Sequence, residues 1–233
     1  MTVRNPAQLS VLTSNSTQPV LDALGVLFDA ERGHRMSVQC DSAKVMLQRI
    51  RDGLQGDLVV LGAEAVGALA KAEIVDAHSV RPFARSRVGV AVKAGTPHPD
   101  ISSVDAFRCT LLNAASVAHT VHGASGMYVP ILLKRLGIAD EIRPKTVTRP
   151  GGFIGRVVVT GEAEIAIQQI SELLAVPGLE LVGPLPDEIQ KVFLTCAAVF
   201  KNTGKRAAAE ALLDFFSQSS CAAVFESKGL EAA

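Results

Sequence analysis

An α/β fold in two lobes is the architecture this sequence predicts, and three observations carry it. Short apolar, β-rich runs alternate with longer helical patterns almost from end to end, which is how a parallel or mixed sheet with crossover helices reads. The run "GDLVVLG" is apolar at successive positions, as a central strand covered on both faces must be. The strand pattern then restarts at Arg85, so the chain builds one lobe, crosses, builds a second and returns. That plan is a clamshell, with residues 1–84 and 186–233 in lobe I, residues 85–185 in lobe II, and the ligand cleft between them.

In chain order, "LSVLTS" reads as a strand and Pro19 to Glu31 as a helix, with Leu21, Leu24 and Phe28 at helical spacing and Gly33 past its end. "RMSVQC" is a second strand, "SAKVMLQRIRDG" a second helix and "GDLVVLG" a third strand. "RSRVGVAVKAG" opens the second lobe, and the prolines of "TPHPDISS" interrupt regular structure. A helix begins near Ser103, "CTLLNAA" reads as a strand, and "MYVPILLKRLGI" reads as a helix with Pro130 in its early part, where proline is tolerated. Arg156 to Thr160 reads as helix and "AEIAIQQI" as strand. "VPGLELVGPLPDEIQ", with three prolines, reads as the crossing back. "KVFLTCAAVF" is then a strand and Arg206 to Ser217 a helix.

Composition excludes several function classes. The 233 residues contain 23 Lys plus Arg against 23 Asp plus Glu, so no overall field draws the protein to nucleic acid or an anionic membrane. With no Trp, one Tyr and nine Phe, there is no material for base-stacking platforms or an aromatic-lined pocket. No apolar run approaches the roughly 20 residues of a membrane span. Cys40, Cys109, Cys196 and Cys221 have no CxxC spacing, and no His and carboxylate cluster has ligand spacing, so neither a metal nor a cofactor is expected. The opening "MTVRNPAQLS" lacks a basic segment followed by an apolar one. As written the chain is expected in the cytoplasm, or in the periplasm if a signal peptide has been removed.

Together, "LTSNST", "QCDSAKVMLQRI", "GDLVVL", "RVGVAVKAG", "HGASGMYVPILLKRLGI" and "GEAEIAIQQISEL" resemble the periplasmic solute-binding proteins of the molybdate type, from about Leu9 to Leu230. The branch with "GASG" before a helix and "QQISEL" with "VGPLP" after it also resembles aconitate isomerase. The resemblance implies a periplasmic binding protein-like II fold, each lobe a mixed sheet flanked by helices. It further implies a small anion (an oxyanion or a di- or tricarboxylate) held by backbone N–H groups and hydroxyls, and an ABC permease as partner if the protein is exported.

Carried over by position, the resemblance places the ligand on Ser14, Asn15 and Ser16, on Asp41 and Ser42, on Ser125 and Gly126, and on Gln168 and Gln169. The two glutamines stand where molybdate binders carry a tyrosine. Helix N-termini carry unpaired N–H donors and a partial positive charge, so three such loops can hold an anion without Lys or Arg. The competing reading is local: Ser, Thr and Asp before a helix are N-caps contributing on the order of 1 kcal/mol. Gln168 and Gln169 alternate along a strand, so one is expected to face the cleft and the other the lobe interior or solvent. Arg85 is a candidate fork for a carboxylate. If the chain is instead an isomerase moving an allylic proton, Asp41, His122 and Glu164 are the candidate bases.

Overall fold

The computed structural model describes residues 7–233; residues 1–6, which begin the polar opening stretch and the expected first lobe, lie outside the described residues. The chain starts with β1 (Gln8–Ser14), α1 (Gln18–Arg32), β2 (Arg35–Asp41), α2 (Ala43–Arg51), β3 (Leu58–Gly62) and α3 (Ala63–Lys71). There follow β4 (Arg81–Lys93), α4 (Val104–Asn113), β5 (Val117–Thr120), α5 (Ala124–Arg135), α6 (Ala139–Ile142), β6 (Thr146–Arg149), α7 (Gly155–Val159), β7 (Ile165–Gln169), α8 (Ile170–Leu174) and β8 (Leu179–Pro184). The chain closes with β9 (Val192–Val199), α9 (Arg206–Phe216), α10 (Ala222–Ser227) and β10 (Leu230–Ala232).

Two compact units emerge. Unit 1 holds the described residues up to Arg85 together with Leu194–Ala233, and unit 2 is the single stretch Ser86–Phe193. The chain passes between them inside β4 and again inside β9.

In unit 1, β1 pairs in parallel with β2 along its whole length, which sets Ser14 beside Asp41, and pairs on its other edge with β3. β9 then runs antiparallel to β3, with Leu58 opposite Val199. The strand period of two explains the doubly apolar β3. Leu58 and Val60 enter one core with Leu9, Leu24, Phe28 and Phe215, while Val59 and Leu61 enter another with Leu12, Met46, Ile50 and Leu69. The Phe28 and Phe215 rings lie 5.1 Å apart, joining the first helix to the last stretch of chain.

Unit 2 has a mixed sheet in the order β8-β4-β7-β5-β6, antiparallel across β4 and parallel between β7, β5 and β6. Its core is again double. Val88, Val90, Phe107, Leu111, Val117, Val129 and Ile167 fill one face, and Ala91, Ala118, Ile154, Val158, Ala166 and Leu173 the other.

Three local expectations are corrected. "CTLLNAA" continues α4 rather than forming a strand: the Ser103 hydroxyl accepts from the Ala106 N–H as an N-cap, and Phe107 and Leu111, one turn apart, are fully buried. The strand is the next run, Val117–Thr120. "VPGLELVGPLPDEIQ" is not a bare crossing but contributes β8, paired antiparallel with β4 inside unit 2. Finally, α5 begins at Ala124 rather than Met127, its first turn closed by Met127 N–H on the Gly123 carbonyl, so Pro130 lies mid-helix on the exposed side.

Candidate functional site

In unit 1 the polar cluster after β1 is buried throughout, from Thr13 to Thr17. Thr13 Oγ1 donates to the Val60 carbonyl at 2.9 Å and lies 2.6 Å from Thr17 Oγ1, which ties the end of β1 to β3 and to the start of α1. Ser14 Oγ and Ser16 Oγ share one bond at 3.2 Å. Two hydroxyls joined by one bond use one proton between them, so the pair keeps a donor for a further acceptor.

The capping reading is not what these residues do. Thr17 is the N-cap of α1 and Ser42 the N-cap of α2, and neither side chain bonds its helix. Neither helix has an acidic residue in its first turn; the N-terminus of α2 has the Asp41 carboxylate beside its N-cap, whereas that of α1 has no such group in its first turn. Asn15 is buried beside the serines.

Asp41 is committed locally: Oδ1 accepts from the Ser42 N–H at 2.7 Å, and Oδ2 lies 3.5 Å from Arg49 Nη1. The neighbouring Cys40 thiol donates to Gln18 Oε1 at 2.8 Å. Burial, then the nearby carboxylates of Asp22 and Asp41, push that thiol up, which keeps it uncharged. Arg85 lies exposed on β4.

In unit 2 the polar residues gather at the C-terminal ends of the parallel strands β5 and β7. Ser125, in the first turn of α5, is fully buried, and Thr120, which ends β5, is 1% exposed. A Cβ on Gly126 would sit 2.0 Å from the Thr120 carbonyl oxygen, so the glycine is demanded by the approach of α5 to β5. Both glutamines are buried, but they are held differently. Gln168 is locked at both ends, its Oε1 accepting from Ile154 N–H at 3.0 Å and its Nε2 donating to the Gly152 carbonyl at 2.8 Å. Gln169 ends β7 and has one side-chain partner, Glu172, 3.4 Å from its Nε2.

Five buried polar atoms have no hydrogen-bond partner among the described residues: Ser86 Oγ, Thr120 Oγ1, Ser125 Oγ, Gln169 Oε1 and Ser171 Oγ. All five belong to unit 2. Parallel pairing of β5 with β7 and the antiparallel pairing of Val88 with Gln169 place them at one end of the sheet. An unpaired buried polar group costs roughly 1–3 kcal/mol, so four hydroxyls and one amide oxygen at one end of a sheet form a cluster built for something other than the fold alone.

Glu172 lies in the same group and is a residue the sequence reading passes over. It is 3% exposed, and burial pushes its carboxyl up to about 8 against the lowering effect of hydrogen bonds from the Gln169 backbone and the two glutamine amides. The sequence carries no local signal for it: in the short helix that holds it Leu174 is 47% exposed and Ile170 only partly buried, so its apolar residues do not mark an enclosed helix.

Of the candidate bases, Glu164 stands at the N-terminal side of β7, exposed and accepting from Ala115 N–H at 2.6 Å. Five residue steps at ~3.3 Å separate it from Gln169, so it belongs to the opposite end of the sheet. His122 is half-buried just before α5, its backbone N–H donating to the Pro150 carbonyl. His119 is buried with Nδ1 against the Thr120 carbonyl, and burial outweighs that bond to lower its proton affinity. No buried residue among those described is Lys or Arg, and no group of three or more His, Cys, Asp and Glu among them is placed to hold a metal ion. No helix among the described residues is long and apolar enough to cross a membrane.

The double α/β architecture and these strand-end polar loops match a known class. The chain belongs to the bacterial extracellular solute-binding protein family, which matches residues 9–231. It is 31% identical over 229 residues to an aconitate isomerase from a Pseudomonas species, covering 96% of this chain and 87% of that protein. Among solved structures, the periplasmic molybdate-binding protein of Azotobacter vinelandii is similar with a TM-score of 0.82 at 16% identity, covering 97% of this chain and 99% of that one. The sulfate-binding protein of Mycobacterium tuberculosis H37Rv follows with a TM-score of 0.76 at 19% identity, covering 97% and 87%. A periplasmic thiamin binding protein has a TM-score of 0.74 at 14% identity, covering 96% and 82%. These likenesses show the fold.

Proposed function

We propose that this protein binds a small anion, a di- or tricarboxylate or an oxyanion, through hydroxyl, amide and backbone donors rather than through Lys or Arg. The observation that carries the reading is the set of buried, unpartnered hydroxyls of Thr120, Ser125 and Ser171 at one end of the unit 2 sheet. Each hydroxyl has a proton to give and a desolvation cost to recover, and an anion's oxygens are acceptors that recover it. In unit 1, the Ser14 and Ser16 pair with its spare proton and the N-terminus of α1, which has no side-chain cap, offer the same chemistry. Likeness to proteins named for molybdate and sulfate supports an anion, and the aconitate isomerase relative, matched over nearly the whole chain, favours a polycarboxylate. In this reading the protein hands its ligand to an ABC permease.

A second reading is supported by that same relative: an isomerase of a small unsaturated polycarboxylate. A base removes a methylene proton next to the double bond, the resulting negative charge spreads onto a carboxylate held by hydroxyl donors, and the proton returns at the far alkene carbon. No other reactant enters or leaves. His122 remains a candidate for the base; Asp41 is engaged with Ser42 and Arg49, and Glu164 lies at the wrong end of β7.

A melting-temperature panel of sulfate, molybdate, citrate, cis-aconitate and trans-aconitate tests the binding reading. A ligand at 100 times its dissociation constant adds about 2.7 kcal/mol, so one class should raise the transition clearly. If none does, anion binding is wrong. Incubation with cis- or trans-aconitate in deuterated water tests the isomerase, which must show both interconversion and deuterium in the product.

A further inference from the structure

The two glutamines of unit 2 are held very differently. Gln168 is fixed in one orientation, because its Oε1 meets a backbone donor and its Nε2 a backbone acceptor. Gln169 has nothing of the kind. Its amide nitrogen meets only Glu172, while its Oε1, an acceptor with no proton to give, is buried without a partner among the described residues. Turning the amide by half a turn exchanges the two ends, and the state of Glu172 decides which end it welcomes. A carboxylate accepts, and holds the NH2. A carboxylic acid donates, and holds the carbonyl oxygen.

No Lys or Arg among the described residues is placed to keep Glu172 ionised. α8 packs chiefly on β7, which carries no titratable residue, and on β8, whose one carboxylate, Glu180, is exposed and engaged with Gly95 N–H and the His98 ring. On β4, Arg87 is paired with Asp187, and on β5 His119 is turned to its neighbour's carbonyl. An ionised carboxylate buried without a counter-charge is costly, and the group takes up a proton instead. That proton needs an acceptor, and the unpartnered one beside it is Gln169 Oε1.

We propose that Glu172 is a positioning residue: as a carboxylic acid it donates to Gln169 Oε1 and turns the Gln169 NH2 toward the ligand, where it joins the hydroxyls of Thr120, Ser125 and Ser171. Unit 2 then presents donors and no charge, which suits an anion. Loss of the proton reverses both properties, since Gln169 swings its carbonyl outward and a negative charge appears behind it. Glu172 thereby sets the sign of ligand the site accepts without touching the ligand. The inference rests on the anion reading above and deepens it.

The test uses sulfate and trans-aconitate as probes, both of constant charge above neutral pH, titrated calorimetrically at pH 7 and 9.5 into the wild type and Glu172→Gln. With the carboxyl titrating at about 8, wild-type affinity should fall about 30-fold between the two pH values. Glu172→Gln, whose amide can donate to Gln169 Oε1 as the acid does, should keep the pH 7 affinity within about threefold and show no such fall. In ligand-free wild type, infrared spectra at pH 7 should show the carbonyl stretch of a protonated carboxyl that disappears as pH rises past 8. An ionised Glu172 at pH 7 overturns the inference with or without the variant. Tight binding that ignores pH overturns it while leaving anion binding intact. No binding of either probe at either pH removes the anion reading and this inference together.

Discussion

Gly126 and Thr120 meet so closely that a methyl group on the glycine would lie 2.0 Å from the Thr120 carbonyl oxygen and 2.5 Å from its hydroxyl. The contact is backbone on backbone, and no side-chain rotation relieves it. It seats the first turn of α5 on the end of β5 and thereby positions Ser125. Gly126→Ala should destabilise unit 2 by roughly 1–3 kcal/mol or more. Gly67, inside α3 with nothing within 4 Å of its Cβ position, is the control, and Gly67→Ala should stabilise by ~0.5–1 kcal/mol. Urea unfolding of the two variants checks the contrast, and equal effects would contradict it.

The buried carboxyl of Glu172 predicts how stability depends on pH. In the folded chain it keeps its proton up to about 8, whereas in the unfolded chain it releases it near the ordinary 4.5. Its contribution is therefore full below about 4.5 and is lost as pH rises through 8, an effect on the order of a few kcal/mol. Glu172→Gln should remove this slope, gaining on the wild type at pH 8 relative to pH 5. Denaturant midpoints at the two pH values measure it, and parallel behaviour of the two proteins would be evidence of an ordinary Glu172.

Asp57 should behave in the opposite sense. Burial raises its carboxyl, but bonds from the Thr203 hydroxyl at 2.6 Å, the Ser10 N–H at 2.8 Å and Lys205 Nζ at 3.1 Å outweigh burial and lower it. Its stabilisation is present above the usual carboxylate range and lost as pH falls through the folded value. Asp57→Asn should cost roughly 1–3 kcal/mol at pH 7 and less near pH 3.

Ser14 and Ser16 separate binding from folding. Their hydroxyls bond each other, so removing both leaves no other protein group unpaired, while Thr13 also serves the Val60 carbonyl. The double change Ser14→Ala with Ser16→Ala should leave the melting temperature within a degree or two yet weaken anion binding by roughly 1.5–3 kcal/mol, tenfold or more. Thr13→Val should lower stability instead. Calorimetry of binding and unfolding on the same samples distinguishes the two outcomes.

Glu164 offers a test by indifference. Glu164→Gln retains an acceptor for Ala115 N–H, and at the far end of β7 it should leave anion affinity and any deuterium exchange into aconitate unchanged. A large loss of either would place the chemistry at that end of the sheet.

Strand and helix periodicity made the α/β order readable, because β3 has to be apolar at every position and α1 has to bury Leu21, Leu24 and Phe28 on one stripe. "CTLLNAA" was ambiguous for the same reason: a short apolar run fits strand and helix alike until the Ser103 cap and the one-turn spacing of Phe107 and Leu111 are weighed. The polar loops were readable as loops, but whether a serine caps its helix depends on a rotamer that the sequence does not carry. Glu172 was hidden most deeply. Its burial comes from β7 and β8 closing on a five-residue helix, and a glutamate in a short polar-looking motif carries no local mark of that enclosure.

The division of the chain has a consequence for how the protein is made. Unit 2 is one uninterrupted stretch with two cores of its own, so a ribosome can release it to fold while the remainder is still being synthesised. Unit 1 has no such freedom. Leu24 and Phe28 must wait for Phe215, and Phe83 for Phe225, so the N-terminal part of unit 1 emerges from the ribosome with its apolar faces open and stays so until residues 194–233 arrive. Truncation near the C-terminus should therefore leave a folded second unit attached to an aggregation-prone first one, the pattern by which damaged copies of this protein would be recognised for disposal.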